Sequence, residues 1–268
     1  MCGALAACTT REPPLRFGTT YTVQQSGALA VVESLWTARR GADPLLRTVI
    51  GPSGLILRSA AAGDLDVVLT HAPSLERRLL SEGRAGELVR ARCPLMASRF
   101  ALVGPERDLA GVRNARSAAA ALRALVRSGA LFVSRGDSSG THTKERELWE
   151  RAGITPGGDW YFEAGSDQAS TLRMAEEWGA YALADLPTIA RIPNLSLAVL
   201  FTADTALRNP YTLYLVASAP PAADRFARWL ADSGSAAAAT SLRLPDSTPA
   251  FELPPEDSAR ALRSGCTQ

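Results

Sequence analysis

Short apolar segments alternate with segments of helical pattern along most of the chain, and this alternation restricts the fold more than any other feature. Strands that alternate with helices pack as an α/β structure with a mainly parallel sheet. The predicted strands are 15–21, 46–49, 66–70, 100–103, 130–133, 161–165, 180–183, 197–201 and 212–216. The predicted helices are 22–39, 55–62, 75–81, 115–128, 142–151, 168–178 and 222–231. The tail from about Asp232 is rich in Ala, Ser and Pro and is expected to wrap the surface.

Composition narrows the possible functions. A chain of 268 residues, 46% of them hydrophobic and 21% charged, can form one or two domains with a substantial core. The formal net charge is +2, which argues against nucleic acid as a partner. No apolar run approaches the roughly 20 residues that a membrane helix requires. No Cys/His grouping has metal-ligand spacing, and His71 and His142 are the two histidines, so neither a bound metal nor a cofactor is expected.

The most informative turn is Ser134–Thr141, which reads Ser-Arg-Gly-Asp-Ser-Ser-Gly-Thr between a predicted strand and a predicted helix. The first N–H groups of a helix are unpaired and carry partial positive charge. Glycines let an anion approach this backbone, hydroxyls add donors, and Arg135 adds a charge with a planar fork of donors. The turn therefore predicts a site for a small oxyanion. An ordinary helix cap beside a surface Arg is the alternative.

Two other predicted turns share this character. The segments Thr19–Thr22 and Gly51–Gly54 each offer hydroxyls and open backbone at the start of a helix. In open α/β sheets, ligands bind beyond the carboxyl ends of the strands. We therefore expect the three turns to meet in one cleft and to surround an anion mainly with neutral donors.

The cysteines suggest an envelope protein. The segment Leu5–Cys8 reads Leu-Ala-Ala-Cys, the form of a bacterial lipobox whose Cys carries lipid, and a polar tether follows it. Only seven residues precede Cys8, fewer than a signal peptide needs, so we expect either that translation starts farther upstream or that the chain is truncated. A coincidental Cys after alanines is the alternative. In an oxidising compartment Cys93 and Cys266 could pair, or they could be unrelated thiols.

Six segments between about Phe17 and Leu230 resemble the periplasmic tungstate-binding proteins of ABC-type uptake systems, within the type II solute-binding superfamily. The Arg-x-Asp-x-Ser-Gly-Thr element alone is less specific, because phosphate-binding relatives carry a similar one. The matching segments are 18–22 (Gly-Thr-Thr-Tyr-Thr), 66–73 (Asp-Val-Val-Leu-Thr-His-Ala-Pro), 100–105 (Phe-Ala-Leu-Val-Gly-Pro), 132–142 (Phe-Val-Ser-Arg-Gly-Asp-Ser-Ser-Gly-Thr-His), 158–165 (Gly-Asp-Trp-Tyr-Phe-Glu-Ala-Gly) and 209–211 (Asn-Pro-Tyr).

This resemblance implies a two-lobed α/β fold, the type II periplasmic-binding-protein fold, with a ligand cleft between the lobes. Residues 1–14 would be lipobox and tether, 15–98 plus 214–268 lobe 1, and 99–213 lobe 2. The implied function is capture of tungstate, or molybdate, and its delivery to the membrane permease of an ABC importer. The protein would be a non-enzymatic monomer, lipid-anchored through Cys8 in the periplasm or at the outer face of the cytoplasmic membrane. The implied ligand contacts are Thr20, Thr22, Ser53, Arg135, Ser139, Thr141 and Thr171.

Two further residues, Asp137 and His71, are expected to lie next to these ligand contacts. Asp137 could hold Arg135 in place, or it could cap the following helix. His71 could donate into the cleft from the end of a strand, or it could be a packed structural residue. The donor set suits tungstate and molybdate, which are tetrahedral dianions without a proton, whereas phosphate is protonated near neutral pH and also needs an acceptor. Tungstate and molybdate are nearly equal in size, and the sequence does not separate them.

Several positions depart from the family pattern. Tyr21 replaces a small hydroxyl residue near the expected ligand, and Leu186 replaces an Arg in the segment Ala184–Thr188. Asp167 adds a negative charge that is difficult to reconcile with an anion site. These changes bear on ligand preference and on closure of the cleft.

Three other functions are alternatives to this interpretation. A binding protein for another oxyanion, namely molybdate, phosphate or sulfate, would share the fold. A serine hydrolase could use Ser138 or Ser139 with His142, but a nucleophile needs a base held by a third group. A ligand-sensing domain of a transcription regulator needs a DNA-binding helix pair, and the residues before the first strand are too few for one.

Overall fold

The structure is a computed structural model that describes residues 12–39, 43–82, 88–137, 139–244, 247 and 249–253. Its strands are β1 Leu15–Thr20, β2 Leu46–Gly51, β3 Val67–Thr70, β4 Val89–Gly104, β5 Phe132–Ser134, β6 Tyr161–Glu163, β7 Ala182–Asp185, β8 Ala198–Phe201 and β9 Arg208–Val216. Its α-helices are α1 Tyr21–Gln25, α2 Ala28–Ala38, α3 Ser53–Ala61, α4 Pro73–Glu82, α5 Ala118–Ser128, α6 Gly140–Ala152, α7 Gln168–Glu177, α8 Leu186–Ile189, α9 Pro221–Trp229 and α10 Ser235–Ser241.

One sheet runs through the molecule in the order β2-β1-β3-β9-β4-β7, with β8 also paired to β4. Strand β1 pairs in parallel with β2 and β3, and β5 pairs in parallel with β6. Strand β9 is antiparallel to β3 and β4, and β4 is antiparallel to β7 and β8. The α/β class is confirmed, but the prediction of a mainly parallel sheet is wrong. The long strands β4 and β9 return through the sheet and make it mixed.

These two strands connect two halves of the molecule. Their shared register runs from Val89↔Val216 to Arg99↔Arg208, and beyond it β4 continues alone to pair with β7 and β8. The first half of β4 was not predicted from the sequence. Its alternation is interrupted by Pro94, which lacks an N–H donor and stands where the register shifts.

Separate hydrophobic cores define the two lobes. The first core draws its buried residues from 15–96 and 211–251, and we call this part lobe 1. Two smaller cores draw theirs from 100–207, which we call lobe 2. The finer boundaries expected from the sequence, 15–98 plus 214–268 and 99–213, stay a prediction.

Two expectations about local structure are wrong. The helix predicted for 22–39 is split into α1 and α2, because Gly27 has φ = +82°, a left-handed conformation that glycine tolerates best. The tail after Asp232 does not simply wrap the surface. Helix α10 contacts α2 and contributes Ala238 and Ala239 to the lobe 1 core, and Phe251 is also buried there.

Cys93 lies on β4, is fully buried, and is disulfide-bonded. Cys266 is outside the described residues, so its pairing with Cys93 stays a prediction. Cys8 and the lipobox are also outside them. Among the helices of the described ranges, none is long and apolar enough to cross a membrane.

Candidate anion-binding site

The parallel order β2-β1-β3 brings three predicted site residues to one edge of lobe 1. Thr20 ends β1, Ser53 starts the helix after β2, and His71 follows β3 directly. All three are buried, as is Thr22 on α1. The Thr20 hydroxyl accepts a hydrogen bond from the Val23 N–H at 3.4 Å and so caps α1. The Ser53 hydroxyl has no hydrogen-bond partner in the described part of the chain.

The turn between β5 and α6 supplies the positive charge. The Arg135 side chain is buried, with only 2% of the residue exposed, and its Nη2 donates to Asp137 Oδ2 at 2.6 Å. Its Nε and Nη1 have no partner among the described residues. An uncompensated buried charge is costly, so the Asp137 carboxylate stabilises the guanidinium in this position. The remaining two donor groups are available for an anion.

The same turn begins α6. The N–H of Ser139 donates to Asp137 Oδ1 at 3.0 Å, and the Ser139 hydroxyl accepts from the His142 N–H at 3.1 Å as the helix cap. Asp137 therefore holds both Arg135 and the turn, whereas Ser139 is the capping residue. Thr141 is completely buried, and its hydroxyl has no partner within the described ranges.

One close contact joins the two sets of residues. The His71 ring of lobe 1 lies against Gly140, the first residue of α6 in lobe 2, so closely that a Cβ on Gly140 would stand 2.7 Å from His71 Cε1. Burial, with a smaller contribution from the Arg135 charge, lowers the pKa of His71 to about 4. The ring is therefore neutral near pH 7. The structure thus brings the turn of lobe 2 to the sheet edge of lobe 1.

A buried polar cluster lies beside His71, where the paired strands β4 and β9 pass from one lobe to the other. Asn209 on β9 accepts at Oδ1 from His71 Nδ1 at 3.1 Å and donates through Nδ2 to Asp185 Oδ2 at 2.6 Å. Ser98 and Tyr211 also donate to that carboxylate oxygen. Burial raises the pKa of Asp185 to about 6, although these donors oppose the shift. This cluster was not predicted from the sequence.

A second buried carboxyl group lies on α6, the helix that follows the Arg135 turn. Glu145 on α6 accepts hydrogen bonds from the Tyr161 hydroxyl at 2.8 Å and from Trp149 Nε1 at 3.1 Å. Burial raises the pKa of Glu145 to about 7. The nearby Ser134 hydroxyl contacts His142 Nδ1 at 3.1 Å and accepts from the Gly136 N–H at the same distance.

Thr171 differs from the other predicted contacts. Its hydroxyl donates to the Asp167 carbonyl at 2.8 Å and lies 3.4 Å from the Ser166 hydroxyl. It is buried, but the structure gives it bonds only within its own turn. Four further residues that were not predicted as contacts have buried atoms without a partner in the described chain, namely Gln25 Oε1, Gln168 Oε1, Asp185 Oδ1 and Thr188 Oγ1. Thr188 follows the end of β7, a position that its hydroxyl and its turn could have indicated.

The departures from the family pattern have local explanations. Asp167 is the cap of α7 and accepts from the Ser170 N–H at 2.8 Å. Tyr21 is 37% exposed, unlike its buried neighbours Thr20 and Thr22. Leu186 starts α8 and packs against the second core of lobe 2. None of these three side chains is hydrogen-bonded to a predicted ligand contact in the described structure.

Among the described residues, the Ser139 hydroxyl is not paired with a histidine ring. The Ser139 hydroxyl bonds the backbone N–H of His142, while the His142 ring contacts Ser134, which is fully buried. Ser138 lies outside the described residues. No cluster of metal-ligating side chains occurs in the ranges that the structure describes. The predicted contacts thus comprise buried hydroxyls in both lobes and, in lobe 2, a buried guanidinium with two partnerless donor groups in the described structure.

The fold and the site together define a two-lobed periplasmic binding protein. The chain belongs to the PBP superfamily, whose domain matches residues 9–233. The tungstate-binding protein TupA of Peptoclostridium acidaminophilum is 31% identical over 223 residues, which are 78% of this chain and 76% of that protein. The crystal structure of the tungstate ABC transporter from Geobacter sulfurreducens is 38% identical, with a TM-score of 0.66, over 76% of this chain and 85% of its own.

A third relative is longer than this chain. A protein of Haloferax volcanii, provisionally named an ABC transporter anion-binding protein, is 36% identical over 203 residues. These residues are 74% of this chain but only 58% of that protein.

Proposed function

We propose that this protein captures tungstate, or molybdate, in the cleft between its lobes and delivers it to an ABC importer. The observation that carries the proposal is a group of buried donors without partners in the described structure: Nε and Nη1 of Arg135 and the hydroxyls of Ser53 and Thr141. Buried polar groups are normally satisfied, so these partnerless donors support a ligand that accepts hydrogen bonds from them. The names of the similar tungstate-binding proteins support the same ligand class.

The charge of the site fits a dianion that carries no proton. Arg135 supplies one positive charge, and Asp137 already uses its carboxylate on Arg135 and on the Ser139 N–H. The remaining donors are neutral hydroxyls and backbone N–H groups at helix starts, which stabilise an anion through their dipoles. Protonated phosphate would need an acceptor at its hydroxyl, so we expect it to bind less well. Sulfate shares the missing proton and differs mainly in size.

A thermal-shift comparison tests the ligand. A ligand at 100 times its dissociation constant adds about 2.7 kcal/mol to stability. Tungstate and molybdate should raise Tm by several degrees, and phosphate at equal concentration should raise it much less. Equal protection by phosphate would refute the proposed selectivity for unprotonated dianions.

Location and partners complete the proposal. Membership of the periplasmic binding proteins implies an extracytoplasmic location, and the lipobox would anchor the protein through Cys8 to the periplasmic face of the membrane, where a permease could accept the anion. The protein would act as a monomer. Mass spectrometry of the protein from its native cell should find an N-terminal, acylated Cys8. An unmodified Met1 in the cell would refute the anchor.

A further inference from the structure

Gly140 lacks a side chain for a steric reason. Its φ angle lies outside the left-handed region, so the backbone there would accept alanine. A Cβ at this position would nevertheless stand 2.7 Å from His71 Cε1, 2.9 Å from His71 Nδ1 and 3.1 Å from the His71 carbonyl oxygen. Carbon atoms in van der Waals contact are about 3.5–4.0 Å apart, so the methyl group of alanine requires a displacement.

The His71 ring cannot supply that displacement easily. It stacks on the Tyr211 ring with centroids 4.9 Å apart and an interplanar angle of 28°. Its Nδ1 is hydrogen-bonded to Asn209, and only 2% of the residue is exposed. The carboxylate of Glu76 also holds the turn around it, accepting from the Thr70 hydroxyl at 2.7 Å and from the Ala72 N–H at 3.0 Å.

The hydrogen bond from His71 has a fixed direction. The amide nitrogen of Asn209 donates to Asp185 Oδ2 at 2.6 Å and to the Ser98 hydroxyl at 3.1 Å, so the amide oxygen must face His71. An acceptor at that point requires a proton on His71 Nδ1. Asp185 belongs to lobe 2 and His71 to lobe 1, and Asn209 lies on β9, which connects the two lobes. The ring is thus fixed at the junction of the lobes.

We infer that Gly140 of lobe 2 contacts the fixed His71 ring of lobe 1 when the lobes close. This contact sets the distance between the anion donors of the two lobes. The inference rests on the proposed function, because it concerns the closed cleft. Gly140 lies between Ser139 and Thr141 in the turn that also carries Arg135. A change in the gap at Gly140 therefore moves these donors relative to Thr20, Thr22 and Ser53. His71 and Gly140 are positioning residues, and they select oxyanions by size.

A double-mutant cycle tests this contact. The variants are Gly140→Ala, His71→Ala and the double variant, each titrated with sodium tungstate by calorimetry. Overpacking a fixed contact is costly, so Gly140→Ala should weaken tungstate binding roughly tenfold or more. Alanine is favourable in a helix, so this variant should fold. The double variant should bind tungstate better than Gly140→Ala alone, because the ring that meets the new methyl group is gone.

Gly104→Ala is the matched control. A Cβ on Gly104 would also meet an aromatic ring, that of Tyr181, but within lobe 2 and away from the junction. It should lower Tm without the specific loss of tungstate affinity. Small-angle scattering adds a second readout, since the contraction on tungstate binding should be smaller in Gly140→Ala than in the wild type and should be restored in the double variant.

The outcomes separate two kinds of failure. If wild-type protein does not bind tungstate, the proposed function is wrong. If wild-type protein binds it but Gly140→Ala binds equally well, the inferred contact is wrong. Additive losses in the double variant would also overturn the inference, because two residues that act through one contact must show coupling.

Discussion

The two sides of the cleft use the same local structure with different chemistry. In lobe 1, the turns after β1 and β2 present Thr20, Thr22 and Ser53, which are all neutral. In lobe 2, the turn after β5 presents Arg135, already held by Asp137 at 2.6 Å. Both sides place donors at the start of a helix. In the proposed site, the charged turn of lobe 2 would attract the anion, and the neutral hydroxyls of lobe 1 would fit around it.

The charged side is the more preorganised of the two. Asp137 bonds both the guanidinium and the backbone of the turn, and Ser139 caps α6. The neutral side offers hydroxyls that can rotate to meet an oxygen wherever it lies. We therefore expect lobe 2 to supply most of the affinity and lobe 1 to contribute smaller increments that depend on closure. The following predictions test this division, from the largest effect to the smallest.

Removal of the guanidinium should have the largest effect. Arg135→Ala deletes the two partnerless donor groups and leaves the Asp137 carboxylate close to the anion. Hydrogen bonds to charged groups contribute roughly 1.5–3 kcal/mol, so tungstate affinity should fall at least about tenfold. Arg135→Lys keeps the charge but loses the planar fork, and it should weaken binding less while reducing selectivity among oxyanions. Calorimetric titration measures both. An unchanged affinity in Arg135→Ala would mean that the charged turn of lobe 2 does not bind the anion.

The buried carboxyl group of Glu145, on the helix that follows the Arg135 turn, should make the stability of the fold depend on pH. The folded pKa of Glu145 is about 7, above its ordinary value of 4.5. The protonated form is favoured in the folded state, so its stabilising contribution is complete below pH 4.5 and is lost as pH rises to 7. Asp185, with a pKa raised to about 6, acts in the same direction. His71, with a pKa lowered to about 4, acts in the opposite direction.

Glu145→Gln isolates this contribution, since glutamine is neutral at every pH and keeps an acceptor for Tyr161. The difference in Tm between the variant and the wild type should grow in favour of the variant between pH 5 and pH 8, by about a few degrees. Thermal unfolding at several pH values measures it. A difference that stays constant with pH would mean that Glu145 does not hold a proton in the folded protein.

Single neutral donors should matter less. Ser53→Ala and Thr141→Ala each remove one buried hydroxyl without a partner in the described chain, and a neutral hydrogen bond is worth about 1 kcal/mol. Each variant should lose roughly fivefold in tungstate affinity. A loss from Ser53→Ala that exceeds that from Arg135→Ala would reverse the division of labour between the lobes, whereas such a loss from Thr141→Ala would mean that the guanidinium is not the main donor of lobe 2.

Thr22→Ala should have the smallest effect. Thr22 is buried beside the capped start of α1, where a water molecule or a neighbouring amide can replace one neutral donor. We expect a loss of about two- to threefold in titrations with tungstate. If this variant is more damaging than Arg135→Ala, the anion lies on lobe 1 and the proposed position of the site is wrong.

The sequence was sufficient for features that depend on neighbouring residues. The strand, turn and helix around Arg135 follow from local hydrophobic pattern, glycines and hydroxyls, and so do the turns at Thr20 and Ser53. The alternation of strands and helices likewise indicated the α/β class. In each case the residues that determine the structure lie within one short segment.

The missed features depend on residues far apart in the chain. His71 and Asn209 are separated by 138 positions. They meet only because β9 pairs with β3 on one side and with β4 on the other. The first half of β4 has a register shift at Pro94 and a partly exposed pattern that conceals its strand character. The helical tail is buried because α2 offers it an apolar surface, which the composition of the tail did not indicate.

The most direct test of the central claim is a competition titration by calorimetry. Wild-type protein is titrated with tungstate alone and then in the presence of excess phosphate, sulfate or molybdate. Buried donors around one guanidinium predict tight binding of one tungstate per chain, strong competition by molybdate and weak competition by phosphate. Phosphate that displaces tungstate as readily as molybdate does would contradict the account, in which the anion meets donors and not buried acceptors such as Gln168 Oε1.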